Sequence, residues 1–336
     1  MEEEFQYLCE DGNLDEIKQL LNEHTVDIHA DDEQAFACAC RRGNIPIIKF
    51  LLKYAISINS PIDIHADYER GFANVCTSGN VPAIKFLLEY AKSIDSPIDI
   101  HANHDRGFTR TCSSGNTSAI KFLLEYAISI NSPIDIHADD ERWFACVCGS
   151  GKVQAIKFLL EYAVSINSPI DIHANNEQGF AHVCWSVNIF AIKFLLEYAV
   201  SINSPINIHA DGEQGFSNAC WNNNISTIKF LLEYAISIDS PIDIHASANS
   251  AFNEACNDED IGIIQFLIDE SKFTSIKYLY DEANKTGYIF NPDFTLDTPD
   301  IHTYETTLFR TVDNKTPNHV YLGENLCRLV KKKSAR

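Results

Sequence analysis

Apolar positions along the chain fall into short stripes of helical period, and the stripes return at a fixed interval. In one representative stretch Phe72, Val75 and Cys76 sit at i, i+3 and i+4, and Ile84, Leu87, Leu88 and Ala91 sit at i, i+3, i+4 and i+7. Each set is one face of an α-helix with polar residues around the rest. The first stripe predicts a short helix from Glu69 to Thr77, and the second a helix from about Val81 to Ser93. Gly79 ends the first helix by supplying a left-handed C′ residue, and Pro82 stands in the first turn of the second, where its missing N–H costs nothing. Ser96-Pro97 breaks the second helix. Beyond it, Ile98-Asp99-Ile100-His101-Ala102 is expected to continue as an extended finger.

The same word returns along the chain. Asp27-Ile28-His29-Ala30 recurs from Asp63, Asp99, Asp135, Asp171, Asn207 and Asp243. Histidines stand at 29, 65, 101, 137, 173, 209 and 245, and cysteines at 40, 76, 112, 148, 184, 220 and 256, each ladder with a step of 36. The block from Ala83 to Ala91 recurs almost unchanged at 119, 155 and 191. Ladders held in one register mark copies of a single supersecondary unit. One helix pair cannot bury its own apolar faces, but copies stacked on either side can. The expected fold is all-α: a helix-pair solenoid of about eight regular units with an atypical C-terminal capping unit. Its expected parts are an N-terminal capping repeat over 1–30, 36-residue repeats over 31–271, an insertion over 272–298, and a degenerate capping repeat with a basic tail over 299–336.

Two helices, a glycine turn and an Asp-Ile-His-Ala finger resemble the ankyrin repeat. Ile48-Lys49-Phe50-Leu51-Leu52 looks like that family's second-helix core, and Ala39-Cys40 followed by Gly43-Asn44 like its first-helix end and turn. The family's Thr-Pro-Leu-His start is absent; sequences such as Gln34-Ala35-Phe36-Ala37 replace it. This dialect resembles the expanded ankyrin paralogues of giant amoeba-infecting DNA viruses. The resemblance implies protein–protein recognition through a concave face, with no enzymatic activity. An alternative reading is a substrate adaptor, in which the atypical C-terminus recruits a ubiquitin-ligase-type complex.

Charge changes the picture of partners. Lys plus Arg is 26 against 47 Asp plus Glu, a net charge of −21. Phosphate binding needs a basic footprint, so nucleic acid and anionic lipid are disfavoured. The acidity fits either a protein partner with a basic surface or a self-repelling surface that keeps the chain soluble and monomeric. The acidic start and the lack of a long apolar run point to a soluble intracellular protein with no membrane span, in the cytoplasm rather than the nucleus, which stays the alternative.

Candidate chemistry meets the same period. Equivalent residues in stacked units lie roughly 8–10 Å apart, so members of the histidine ladder cannot share a metal ion, and members of the cysteine ladder cannot form disulfides. The histidines are expected to hydrogen-bond loop backbone. The cysteines are expected to be small buried hydrophobes. Gly149-Ser150-Gly151-Lys152 lacks the strand and the Ser/Thr of a phosphate loop. The run Lys331-Lys332-Lys333 reads either as a signal or as a disordered helix end. No cofactor or metal is expected.

What differs between copies is informative. Two positions before the ladder cysteine stand Cys38, Asn74, Arg110, Cys146, His182 and Asn218, and one position after it Arg41, Thr77, Ser113, Gly149, Trp185 and Trp221. These positions are three apart and share one helical face, opposite the constant stripe. Asn74, Arg110, His182, Trp185, Asn218 and Trp221 are therefore candidate partner-binding residues. Trp143, which replaces Gly or Ala one place before Phe144, joins them. Exposed tryptophan is enriched in binding hot spots, and the other reading is that the indoles fill gaps between helices.

Overall fold

The computed structural model of the chain describes residues 1–222 and 224–242, and beyond them three strands. Among the described residues fourteen helices follow one another in pairs. They are α1 (Glu2–Asp11) with α2 (Leu14–Glu23), α3 (Ala30–Arg42) with α4 (Ile45–Ser57), and α5 (Ala66–Thr77) with α6 (Val81–Ser93). Next come α7 (Ala102–Ser114) with α8 (Thr117–Ser129) and α9 (Ala138–Gly149) with α10 (Val153–Ser165). The last are α11 (Ala174–Trp185) with α12 (Ile189–Ser201) and α13 (Ala210–Trp221) with α14 (Ile225–Ser237). The fold is a solenoid-like array of helix-pair repeats, and the bounds of α6 are those its stripe and its proline predict.

Further on, β1 (Lys277–Asp281), β2 (Thr286–Phe290) and β3 (Val320–Leu322) form an antiparallel sheet in the order β2-β1-β3. Tyr278 pairs with Ile289, and Tyr280 with both Gly287 and Tyr321. The 36-residue period carries no sign of these strands. The expected repeat around Cys256, and the rest of the expected insertion, capping unit and basic tail, lie outside the described residues.

Contacts divide the chain into two compact bodies, Met1–Gly179 with Phe190–Ser204, and Phe180–Ile189 with Pro205–Arg336. In the first body the first helices stack directly on one another, α1 on α3, α3 on α5, α5 on α7 and α7 on α9. Their contact is tight because glycine faces phenylalanine. A Cβ on Gly71 would stand 2.8 Å from the Phe36 ring, and one on Gly107 2.6 Å from that of Phe72. In the second body the same contact holds Gly215 against Phe180, at 2.5 Å. The constant stripes form the core: Phe72, Val75, Cys76, Ile84, Leu87, Leu88 and Ala91 are all buried.

Asparagine caps set where several second helices begin, whereas α10 follows Lys152 without a side-chain cap. Asn44, Asn80 and Asn116 accept from the backbone N–H groups of Ile47, Ala83 and Ala119, each such cap being worth about 1 kcal/mol. Asn80 and Asn116 also reach back one repeat. Asn80 Nδ2 donates to the Gly43 carbonyl at 3.0 Å, and Asn116 Nδ2 to that of Gly79 at 2.9 Å.

Candidate docking face on the first helices

The finger leads into the first helix through an unusual turn. Asp67, Tyr68 and Glu69 have φ of 49°, 51° and 62°, one left-handed turn, and the pattern recurs at Asp31–Glu33 and at the equivalent residues of the other repeats. Left-handed backbone costs L-residues about 1–2 kcal/mol each, so something must hold it. Glu69, carried inward by that turn, is buried, and its Oε1 accepts from the Asp99 amide at 3.1 Å and meets His65 Nδ1 at 2.7 Å. His65 Nε2 in turn meets Ser96 Oγ at 2.7 Å. Among the described residues each ladder histidine thus clamps the acidic side chain four residues further along to the serine of the following linker. The partners are a carboxylate and a hydroxyl rather than the expected loop backbone, although His101 Nε2 also meets the Ser132 carbonyl at 3.1 Å. The other carboxylate oxygens of Glu33, Glu69 and Glu141 are buried without a hydrogen-bond partner, so these clamps are only partly satisfied.

One clamp is different. Asp105 stands where the other repeats have Glu; it meets His101 Nδ1 at 2.6 Å, but it is one methylene short, and no hydrogen bond joins it to the Asp135 amide among the described residues. In the following repeat Trp143 Nε1 donates to the Asp135 carbonyl at 2.8 Å and so secures the same linker residue. The Trp143 indole packs edge-on against Phe108, with ring centroids 5.8 Å apart, and is only 1% exposed. This corrects its place among the candidate docking residues: an indole sealed in the core offers no surface to a partner.

The other candidates lie on the face opposite the core. Asn74 is half-buried and donates to the Ala37 carbonyl at 2.9 Å, and Asn218 likewise to that of Ala181 at 2.7 Å. Both therefore also stitch neighbouring first helices together. His182 and Arg110 are half-buried. Trp185 and Trp221 are 42% and 48% exposed, and their rings stack at 5.5 Å between centroids, tilted by 40°. That is closer than the helix spacing, because the two side chains lean together. Asn222 Nδ2 donates to the Trp185 carbonyl at 2.7 Å, which fixes the two helix ends that carry the indoles.

Beside this pair the backbone is strained. Val187 has φ of +66°, whereas Gly43, Gly79, Gly115 and Gly151 occupy the equivalent turn in the earlier repeats. A β-branched residue in that region is a genuine outlier. It is half exposed and extends the apolar surface next to Trp185.

Burial works against ionisation of the described ladder thiols. Burial pushes Cys9 and Cys76 up to about 12, and it pushes Cys40, Cys112, Cys184 and Cys220 upward as well. A nucleophilic cysteine needs the opposite shift. Among the described residues no group of His, Cys, Asp and Glu is arranged to hold a metal, and no helix is long and apolar enough to cross a membrane.

No protein-family model and no curated protein matches the chain. Among solved structures it is similar to the human ASB11 ankyrin repeat domain, at 16% identity and a TM-score of 0.38 over 58% of this chain and 82% of that one. It is also similar to the pentatricopeptide repeat protein PPR10 from maize, at 10% identity and a TM-score of 0.41 over 80% of this chain and 38% of that one.

Proposed function

We propose that the chain is a non-enzymatic scaffold that docks a protein partner on the exposed face of its first helices, with Trp185 and Trp221 as the anchors. The observation that carries this reading is the half-exposed indole pair, its rings 5.5 Å apart and tilted by 40°, on a face that also carries the polar Asn74, Arg110, His182 and Asn218. Two large side chains held rigidly side by side in water lose little entropy on binding and offer much apolar area. His182 and Asn218 flank the pair in the same helices and supply polar contacts. The ankyrin-like pattern read from the sequence supports a partner of protein type.

The expectation of a basic partner rests on the charge of the whole chain, −21. Among the described residues most carboxylates stand on the first helices and the fingers, whereas the second helices carry about as many lysines as carboxylates and pair them, as in Lys85–Glu89, Lys121–Glu125 and Lys157–Glu161 at i, i+4. A basic partner would meet the fingers and the acidic starts of the first helices.

The test replaces both anchors. Proteins captured by the full chain from cells that express it are compared with those captured by Trp185→Ala/Trp221→Ala. The reading holds if a specific partner is lost while helicity by circular dichroism stays unchanged. Undiminished capture, or unfolding of the double variant, refutes it.

A further inference from the structure

We infer that Arg110, with Arg106 one turn before it on α7, is a carboxylate-binding site that receives an acidic segment of a protein partner. The site lies wholly in the first body and stands or falls independently of the tryptophan pair.

The placement of arginine is the first observation. Residues 1–242 contain six arginines, Arg41, Arg42, Arg70, Arg106, Arg110 and Arg142, and every one is on a first helix; the second helices use lysine. Arg106 and Arg110 are one turn apart on α7 and share a face. Arg41 lies in the last turn of α3 and Arg70 early in α5, and α3, α5 and α7 stack in that order. An acidic chain thus collects guanidinium groups on the face whose residues vary from copy to copy.

The second observation is how these groups are compensated. Arg41 Nη1 lies 3.6 Å from Glu10, Arg70 Nε lies 3.7 Å from Asp67, and Arg106 Nη1 lies 4.0 Å from the same Asp67 oxygen. Arg110 differs: among the described residues no hydrogen bond or ion pair reaches its guanidinium. It is half-buried all the same, and its ionisation is disfavoured first by desolvation and then by Arg106 and Arg41. Removing a charge from water without a counter-charge is unfavourable. An incoming carboxylate would relieve both the desolvation and the like-charge repulsion. The planar guanidinium fork suits a carboxylate in bidentate geometry.

Charge also selects the kind of partner. A long polyanion would feel the repulsion of the whole chain at −21. A short segment with a few Asp or Glu side chains meets the local arginines and little of the distant field, which salt screens beyond about 8–10 Å.

Fluorescence anisotropy with the full chain and a labelled short peptide of alternating Glu and Gly tests this. The wild type is expected to bind the peptide and to ignore its Gln/Gly counterpart. Arg110→Ala should weaken binding by about tenfold or more, Arg110→Lys by less, and Arg110→Glu should abolish it. The free proteins give a second readout. Arg110→Ala should melt at the same temperature as the wild type or higher, with any gap closing as salt rises, because an uncompensated charge has been removed. A wild type that does not bind the Glu peptide, or an Arg110→Glu variant that binds it equally well, overturns the site. So does tighter binding of a phosphoserine peptide or a single-stranded oligonucleotide, or an Arg110→Ala variant that melts lower.

Discussion

Trp143 and the Trp185/Trp221 pair are the same residue type on the same element, a first helix, yet they sit in opposite environments. Trp143 takes the slot filled by alanine or glycine elsewhere, on the side that faces the preceding phenylalanine, and is sealed against Phe108. Trp185 and Trp221 take the slot after the ladder cysteine, on the far side of the helix, and lie half in water. The position within the repeat decides whether an indole acts as packing or as surface. The buried one has a reason in its neighbour, since the short Asp105 leaves the Asp135 linker without its amide clamp and the Trp143 indole anchors that linker by its carbonyl. The exposed pair has no such internal task.

The contrast can be broken or sharpened in four ways. Trp143→Ala leaves a cavity against Phe108 and an unanchored linker, and should cost about 3–5 kcal/mol, read as a fall in the urea midpoint. A shift under about 1 kcal/mol would mean that the slot collapses freely. In that variant, Asp105→Glu restores the longer carboxylate and should recover about 1 kcal/mol by reaching the Asp135 amide. Val187→Gly removes left-handed strain and should raise stability by about 1 kcal/mol, while leaving the Trp185–Trp221 stacking unchanged in near-ultraviolet circular dichroism. Trp185→Ala and Trp221→Ala, made singly, should move the midpoint by about 0.5 kcal/mol or less. The same contrast has an optical form. Acrylamide should quench the fluorescence of Trp185 and Trp221 and spare that of Trp143, so the double variant should be left with emission that resists quenching.

Much of the helical fold was legible in the residues. The stripe of Ile84, Leu87, Leu88 and Ala91 and the flanking Gly79, Pro82 and Ser96-Pro97 mark a helix whose bounds are those observed, because a 3.6-residue period and its breakers are local facts. The shared face of Asn74, Arg110, His182 and Asn218 was legible for the same reason. The histidine ladder was legible as structural, but its partners were not. Glu69 lies four residues from His65 in sequence, yet it reaches the ring only through a left-handed turn that no propensity announces. Trp143 was misplaced because its slot touches the preceding repeat, and the space available there depends on the ring of Phe108.

By itself the sequence determined the repeat, its helices, its glycine turns and the face on which copies differ, since each follows from periodicity and from contacts between near neighbours. Only the tertiary structure decided which indoles are buried, how close Trp185 and Trp221 stand, and which arginine lacks a counter-ion. Those outcomes depend on distances between residues about one repeat apart, where a methylene more or less, as in Asp105, changes which atoms can meet. The linear pattern records which residues recur, and packing sets what each of them touches.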